Sequence, residues 1–97
     1  MIQDKEVAMV HAADYALEYL NKEPRASTEE IIKQFLKTFE SRDIQRNMKI
    51  YSVAAISEIV KIKENKENKN KLKKQLLQIF IQNTPFIMSR IEEGNED

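Results

Sequence analysis

Three side chains near the start of the chain have the types and the spacing that metal or acid–base chemistry would need. His11 is the only histidine among the 97 residues, and Asp14 and Glu18 follow it three and seven positions later. On a helix these positions share one face, where they could hold a divalent cation weakly. Structural metal sites take more ligands than one helix supplies, and surface charges at this spacing are common. We therefore predict neither a metal site nor an acid–base site here.

The composition removes most other catalytic chemistry. The chain has no cysteine, which excludes thiolate nucleophiles, disulfides and sulfur-ligated zinc. Its single glycine is Gly94, so no glycine-rich loop can cradle a phosphate earlier in the chain. The carboxylates are spread along polar faces without a pairing pattern. We expect a protein that is not an enzyme and that uses no cofactor.

A lysine-rich stretch, residues 61–74 with the sequence KIKENKENKNKLKK, is the most unusual part of the chain. It holds seven lysines and two glutamates, although the net charge of the whole chain is zero. Clusters of Lys and Arg are what phosphate binding requires. The stretch has no aromatic side chain to stack on a base and no arginine to form a bidentate fork. It is therefore interpreted first as a solvated joint between two helices.

A second pattern keeps nucleic acid open as an alternative. Residues 16–35, ALEYLNKEPRASTEEIIKQF, resemble the first two helices of winged-helix regulators, in which a proline turn and a Ser or Thr cap separate two helices. The resemblance implies that the third helix would lie in the major groove of DNA. No glycine-bounded wing follows, and the second helix is long. The candidate nucleic-acid contacts are Arg42, Gln45, Arg46, Lys49, Lys61, Lys63, Lys66 and Lys69.

The positions of the apolar residues predict an all-α protein, a small bundle of four to five helices. A content of 41% apolar and 33% charged residues suits a small helical domain, and tight β-hairpins are disfavoured without glycine. A hairpin across residues 59–81 is a weaker alternative. Residues 1–93 are predicted to form one domain and 94–97 a disordered acidic tail. The predicted helices cover residues 5–21, 28–40, 43–63, about 72–82 and a short fifth segment ending near Gly94.

Residues at the predicted helix ends explain these limits. Ser27 precedes the second helix and Glu30 stands three positions later, which is the spacing of a capping box. Thr84 followed by Pro85 predicts a new helix start, because proline is well tolerated in the first helical turn.

The helices carry more apolar surface than one copy of the chain can cover. The first, third and fourth helices each have a second apolar side. Large uncovered apolar patches are rare on soluble monomers, and two-fold dimers are the commonest oligomers. The predicted protein interface consists of Val53, Ile56, Val60, Leu77 and Ile81.

These patterns predict a non-enzymatic regulatory or adaptor protein that acts through protein–protein contact and forms a homodimer. The alternative is a nucleic-acid-binding regulator of the helix-turn-helix type that uses residues 42–74. No apolar run reaches the roughly 18 residues of a membrane helix, and the charged residues Asp4, Lys5 and Glu6 do not fit a signal peptide. We therefore expect a cytoplasmic protein without membrane contact.

Overall fold

The computed structural model describes residues 4–39 and 48–94, which form four α-helices and no β-strand. The all-α prediction is confirmed. The hairpin alternative is wrong, because residues 59–81 form helix, turn and helix, as good helix formers such as Leu, Lys and Gln favour. The elements are α1 (Lys5–Lys22), α2 (Thr28–Phe39), α3 (Lys49–Glu64), a 3₁₀ turn (Lys66–Asn68) and α4 (Lys73–Gly94).

Side-chain caps fix the starts of the first two helices. The backbone N–H of Val7 donates to the carboxylate of Asp4 over 3.1 Å, and the N–H of Glu30 donates to the Ser27 hydroxyl over 3.1 Å. Each bond satisfies an amide that the helix itself leaves without an acceptor. The predicted cap at Ser27 is thereby confirmed.

The third helix is the centre of the bundle, because α3 packs against α1, α2 and α4. Its most extensive packing is with α1, and on α1 the side chains of Ala8, Ala12 and Ala16 form a fully buried row at four-residue spacing. Ala55 and Ser52 of α3 are buried as well. Small side chains on both helices allow their axes to lie close together. The Ser52 hydroxyl donates to a backbone carbonyl of its own helix, so it is not left unsatisfied.

An aromatic cluster holds α2 against α1. The ring of Tyr15 lies edge-on to Phe35 at 5.3 Å between centroids, and the His11 ring lies edge-on to Phe39 at 4.9 Å. Edge-to-face geometry of this kind is the favoured arrangement of aromatic pairs. Phe35 is fully buried, so this cluster is the main apolar anchor of the shortest helix.

The lysine-rich stretch contains the turn between α3 and α4, as the solvated-joint interpretation predicts. Asn65 accepts a hydrogen bond from the N–H of Glu67 over 2.9 Å and so starts the 3₁₀ turn. The side chain of Asn68 donates to the carbonyl of Ile62 over 2.8 Å, which closes the end of α3. The asparagines therefore stabilise the turn through backbone groups that a helix end leaves free.

The predicted break before a fifth helix is wrong, because α4 continues through Pro85 to Gly94. An internal proline lacks an N–H and crowds the carbonyl four residues earlier, which costs about 3 kcal/mol. The helix nevertheless keeps one unbroken apolar stripe, and Thr84 is buried in it, donating its hydroxyl to the Phe80 carbonyl instead of capping a new helix. The stripe consists of Leu76, Phe80, Thr84, Ile87 and Ile91. Continuity keeps Ile87 on the core, and its burial offsets the proline.

Two of the predicted interface residues belong to the monomer's own core. Ile56 is 0% exposed and Val60 is 5% exposed, both within the apolar core of a single chain. The second apolar side of α3 is therefore covered by neighbouring helices of the same copy, because α3 is surrounded on three sides. Ile56 and Val60 are therefore core residues of the monomer and are not available at its surface for an interface with a partner.

Replacing Ile56 and Val60 together with glutamate should unfold the chain. Each buried carboxylate without a partner costs several kcal/mol, and a domain of this size has only about 5–15 kcal/mol of stability. Circular dichroism would report the loss of helix. Val53→Glu is the matched control, because Val53 lies on the same helix but is only partly buried, and this variant should remain helical. A helical, monomeric double variant would contradict the assignment of both residues to the core.

Replacing Pro85 with alanine should stabilise the protein by about 1–3 kcal/mol, since it restores a helical N–H and removes the clash. Pro85 is exposed, so no core packing is lost. Urea unfolding followed by circular dichroism measures the change. Gln82→Ala, at an exposed position of the same helix, should change stability by less than about 0.5 kcal/mol. A destabilised Pro85→Ala variant would mean that the proline shapes the path of α4.

Candidate protein-contact groove

Exposed apolar side chains in the described ranges lie mainly on α4 and at the start of α1. Among them, Val7 of α1 is 55% exposed and Ile81 of α4 is 49% exposed. The helices that carry them, α1 and α4, run antiparallel, because Lys5 near the start of α1 bonds to Glu92 near the end of α4. The other large exposed apolar residues are Ile50, Leu72 and Phe86.

The surface between α1 and α4 is a groove of about 500 Å³. Its apolar walls are Val7 and Val10 of α1 and Leu77 of α4, and Ile81 continues the α4 wall one helical turn further. We call this surface the α1–α4 groove. Its complete lining is Glu6, Val7, Val10, His11, Asp14 and Leu77.

An ion-pair cluster closes the groove at one end. The Nζ atom of Lys73 lies 2.7 Å from Asp14 Oδ1 and is also hydrogen-bonded to Glu18. Hydrogen bonds to Asp14 and then to Glu18 raise the pKa of Lys73 above its ordinary value of 10.5. All three side chains are 41–52% exposed, so the pairing is screened by water and contributes little to stability. Its main effect is on the register of α4 relative to α1 along the helix axes.

The same cluster explains what becomes of the candidate metal ligands. Asp14 and Glu18 do come together, as their spacing predicts, but they surround an ammonium group. His11 points away from them toward Phe39. Within residues 4–39 and 48–94, no group of three or more His, Asp or Glu could hold a metal ion.

A second contact ties the opposite end of the groove to α3. Lys5 lies 3.3 Å from Glu92 and 5.1 Å above the ring of Tyr51. Interactions with Tyr51 and then with Glu92 raise the pKa of Lys5 above its ordinary value. The start of α1 is thereby held against both α3 and α4, which keeps Val7 at the groove.

His11 forms part of the groove wall but is badly placed for catalysis. In the described part of the chain, its Nε2 atom is the buried side-chain polar atom that has no hydrogen-bond partner. The ring is enclosed by the aromatic cluster, and an imidazole N–H can point toward a phenyl face as a weak hydrogen bond. A general acid or base must reach its substrate, and the Nε2 atom is enclosed where it cannot do so.

The predicted interface residues do not form one surface. Leu77 lines the α1–α4 groove, and Ile81 is exposed one helical turn further along α4. Val53 lies partly exposed on the outer side of α3, and the other two are in the core. The groove also contains Val7, which the sequence analysis did not select. A usable signal was the spacing of Val7, Val10 and Asp14 at steps of three and four, which marks a side stripe next to the core stripe of α1.

Those candidate nucleic-acid contacts that the structure describes are dispersed as well. Arg42, Gln45 and Arg46 lie outside the described residues. Lys49 is half-buried at the start of α3, and Lys61 is 4.0 Å from Glu58. The outer side of α3 is formed mainly by small or apolar residues, which is not the surface of a recognition helix. The remaining three, Lys63, Lys66 and Lys69, are exposed at and beside the turn.

Comparison of this chain with protein-family models, with curated proteins and with solved structures finds no match. No helix in residues 4–39 and 48–94 is both long and apolar enough to span a membrane. A function therefore has to be argued from the groove and from the charges around it.

Proposed function

We propose that this protein is a non-enzymatic interaction module that self-associates through the α1–α4 groove. The observation that carries the proposal is the pairing of apolar walls from two helices, with Val7 and Ile81 each about half exposed. Exposed apolar groups that line a common groove gain free energy when a partner surface removes them from water. A regulatory or adaptor role follows from this mode of action.

A second copy is the occupant that the groove favours. The groove carries two acidic residues, Glu6 and Asp14, on its α1 side, and on α4 Lys74 stands one turn before Leu77, level with Asp14. Lys74 is exposed and has no ion-pair partner within the described ranges. A surface with one acidic and one basic side can be complementary to itself in a two-fold dimer. The cytoplasmic setting expected from the sequence stays a prediction.

Replacing Val7 and Ile81 with glutamate should give a folded monomer from a dimeric parent protein. Both side chains are about half exposed, so the fold tolerates the change, while two carboxylates per copy would be buried at the contact. Light scattering after size-exclusion chromatography measures the mass, and circular dichroism checks the fold.

Phe86→Glu is the matched control for this experiment. Phe86 is 70% exposed and apolar, but it lies on another side of α4 from Leu77 and Ile81, so the variant should remain dimeric. A parent protein that is monomeric at every accessible concentration would contradict self-association. A dimer that survives the groove substitutions but not Phe86→Glu would move the contact to another face of α4.

Nucleic-acid binding is the second candidate, and the exposure of Lys63, Lys66 and Lys69 favours it. Glu64 and Glu67 alternate with these lysines, however, and weaken the local positive potential. Lys63 lies at the end of α3 and Lys66 and Lys69 at the turn, and residues 61–74 contain no aromatic side chain that could stack on a base.

Retention on random duplex DNA at low salt tests this second candidate. Phosphate contacts are strongest at low ionic strength, so a real interaction should appear there and weaken steeply as salt is added. If the parent protein is retained, a variant with glutamine at Lys63, Lys66 and Lys69 should lose that retention. We expect no retention of the parent protein, and a salt-dependent signal that the triple variant abolishes would favour the second candidate.

A further inference from the structure

We infer that the dimer is an intermolecular four-helix bundle in which α1 of each copy packs against α4 of the other. This inference rests on the proposed self-association and specifies its geometry. Two arrangements place the α1–α4 groove of one copy over that of the other with the two-fold axis in the plane between the copies. In the first, the two-fold axis runs along the helices and α1 faces the other copy's α4. In the second, the axis runs across the helices and α1 faces the other copy's α1.

The heights of the charged residues along the groove distinguish the two arrangements. Val10 and Leu77 line the same part of the groove, and the two helices are antiparallel. Residues before Leu77 on α4 therefore lie level with residues after Val10 on α1. The bond between Lys73 and Asp14 confirms this alignment directly. Lys74, next in sequence to Lys73, is thus level with Asp14.

The arrangement with the axis across the helices brings like charges together. Glu6 and Asp14 stand four residues on either side of Val10, and both line the groove. If α1 lay antiparallel to α1 of the other copy around Val10, Glu6 of each copy would face Asp14 of the other. Juxtaposed carboxylates at a forming interface oppose association.

The arrangement with the axis along the helices brings opposite charges together. This rotation leaves the position of each residue along the helix axes unchanged, so Lys74 of one copy lies opposite Asp14 of the other. The acid pair Asp14 and Glu18 carries two negative charges, and Lys73 supplies one positive charge within the same chain. One negative charge therefore remains, and Lys74 of the second copy neutralises it, twice per dimer. The four apolar walls then meet at the centre of the bundle, as in antiparallel helix bundles.

The first measurement is the dimer dissociation constant of the Lys74→Glu variant, by analytical ultracentrifugation. Reversing this charge turns two attractions into two repulsions and should weaken the dimer roughly tenfold or more. Lys69→Glu is the matched control, because it makes the same charge change at an exposed position of the turn away from the groove. Equal effects of the two variants would overturn the contact assigned to Lys74.

Disulfide trapping tests the geometry directly, since the chain has no cysteine of its own. Full-length Val10→Cys and Leu77→Cys proteins are mixed, allowed to exchange subunits and oxidised gently. The inferred bundle should give the mixed Val10–Leu77 crosslink in excess, because these positions lie level with each other and a disulfide needs Cα atoms within about 7 Å. A dominant Val10–Val10 crosslink would overturn the inference in favour of the other axis. A dimer by mass that gives neither crosslink would place the contact elsewhere. A monomer by mass would instead refute the proposed self-association itself.

Discussion

The packing of α1 on α3 is the constraint on which the rest of the structure depends. Ala8, Ala12 and Ala16 are fully buried, and only side chains this small let the backbone of α1 come close to that of α3. This close approach places α3 in the centre, where α2 and α4 can cover its other sides. A larger residue anywhere in the alanine row would force the helices apart and cost packing energy along their whole contact.

The central position of α3 changes how its two apolar sides should be interpreted. Viewed as a sequence, a helix that is apolar nearly all round fits either a bundle centre or a subunit contact. The burial of Ile56 and Val60 decides for the bundle centre. Exposed apolar residues of the peripheral helices include Val7 of α1 and Ile81 of α4, and between these two helices apolar residues line a groove with charged edges.

The ion pairs and the lysine-rich turn have separate roles. Lys73 and Lys5 hold α1 and α4 in register, while the lysines near the 3₁₀ turn extend into solvent. The turn itself depends on Asn65 and Asn68, whose side chains bond to backbone groups. Charge in this protein thus contributes alignment and solubility at modest energetic cost, because nearly all of it stays hydrated. The stability of the fold comes from the apolar core.

The antiparallel alignment of the two helices also explains why the two ends of the groove differ in charge. Because α1 and α4 are antiparallel, an acidic residue late in α1 and a basic residue early in α4 fall at the same end. A surface with such polarity distinguishes one orientation of a partner from its reverse. This property underlies the arrangement we infer for two copies, and it would equally restrict any other helix that entered the groove.

The sequence by itself determined the class of fold and most of the helix limits. Period-3.6 patterns, the Ser27 cap and the scarcity of glycine predict an all-α bundle of four to five helices, with limits close to those of α1, α2, the end of α3 and the start of α4, since these signals act within a few residues. The continuity of α4 through Pro85 could not be predicted locally, because the local preference for a break is outweighed by core contacts of Ile87 further along the helix. Only the tertiary structure decided which apolar side faces inward: Ile56 and Ile81 look alike in sequence, and neighbouring helices alone determine that the first is buried and the second is exposed.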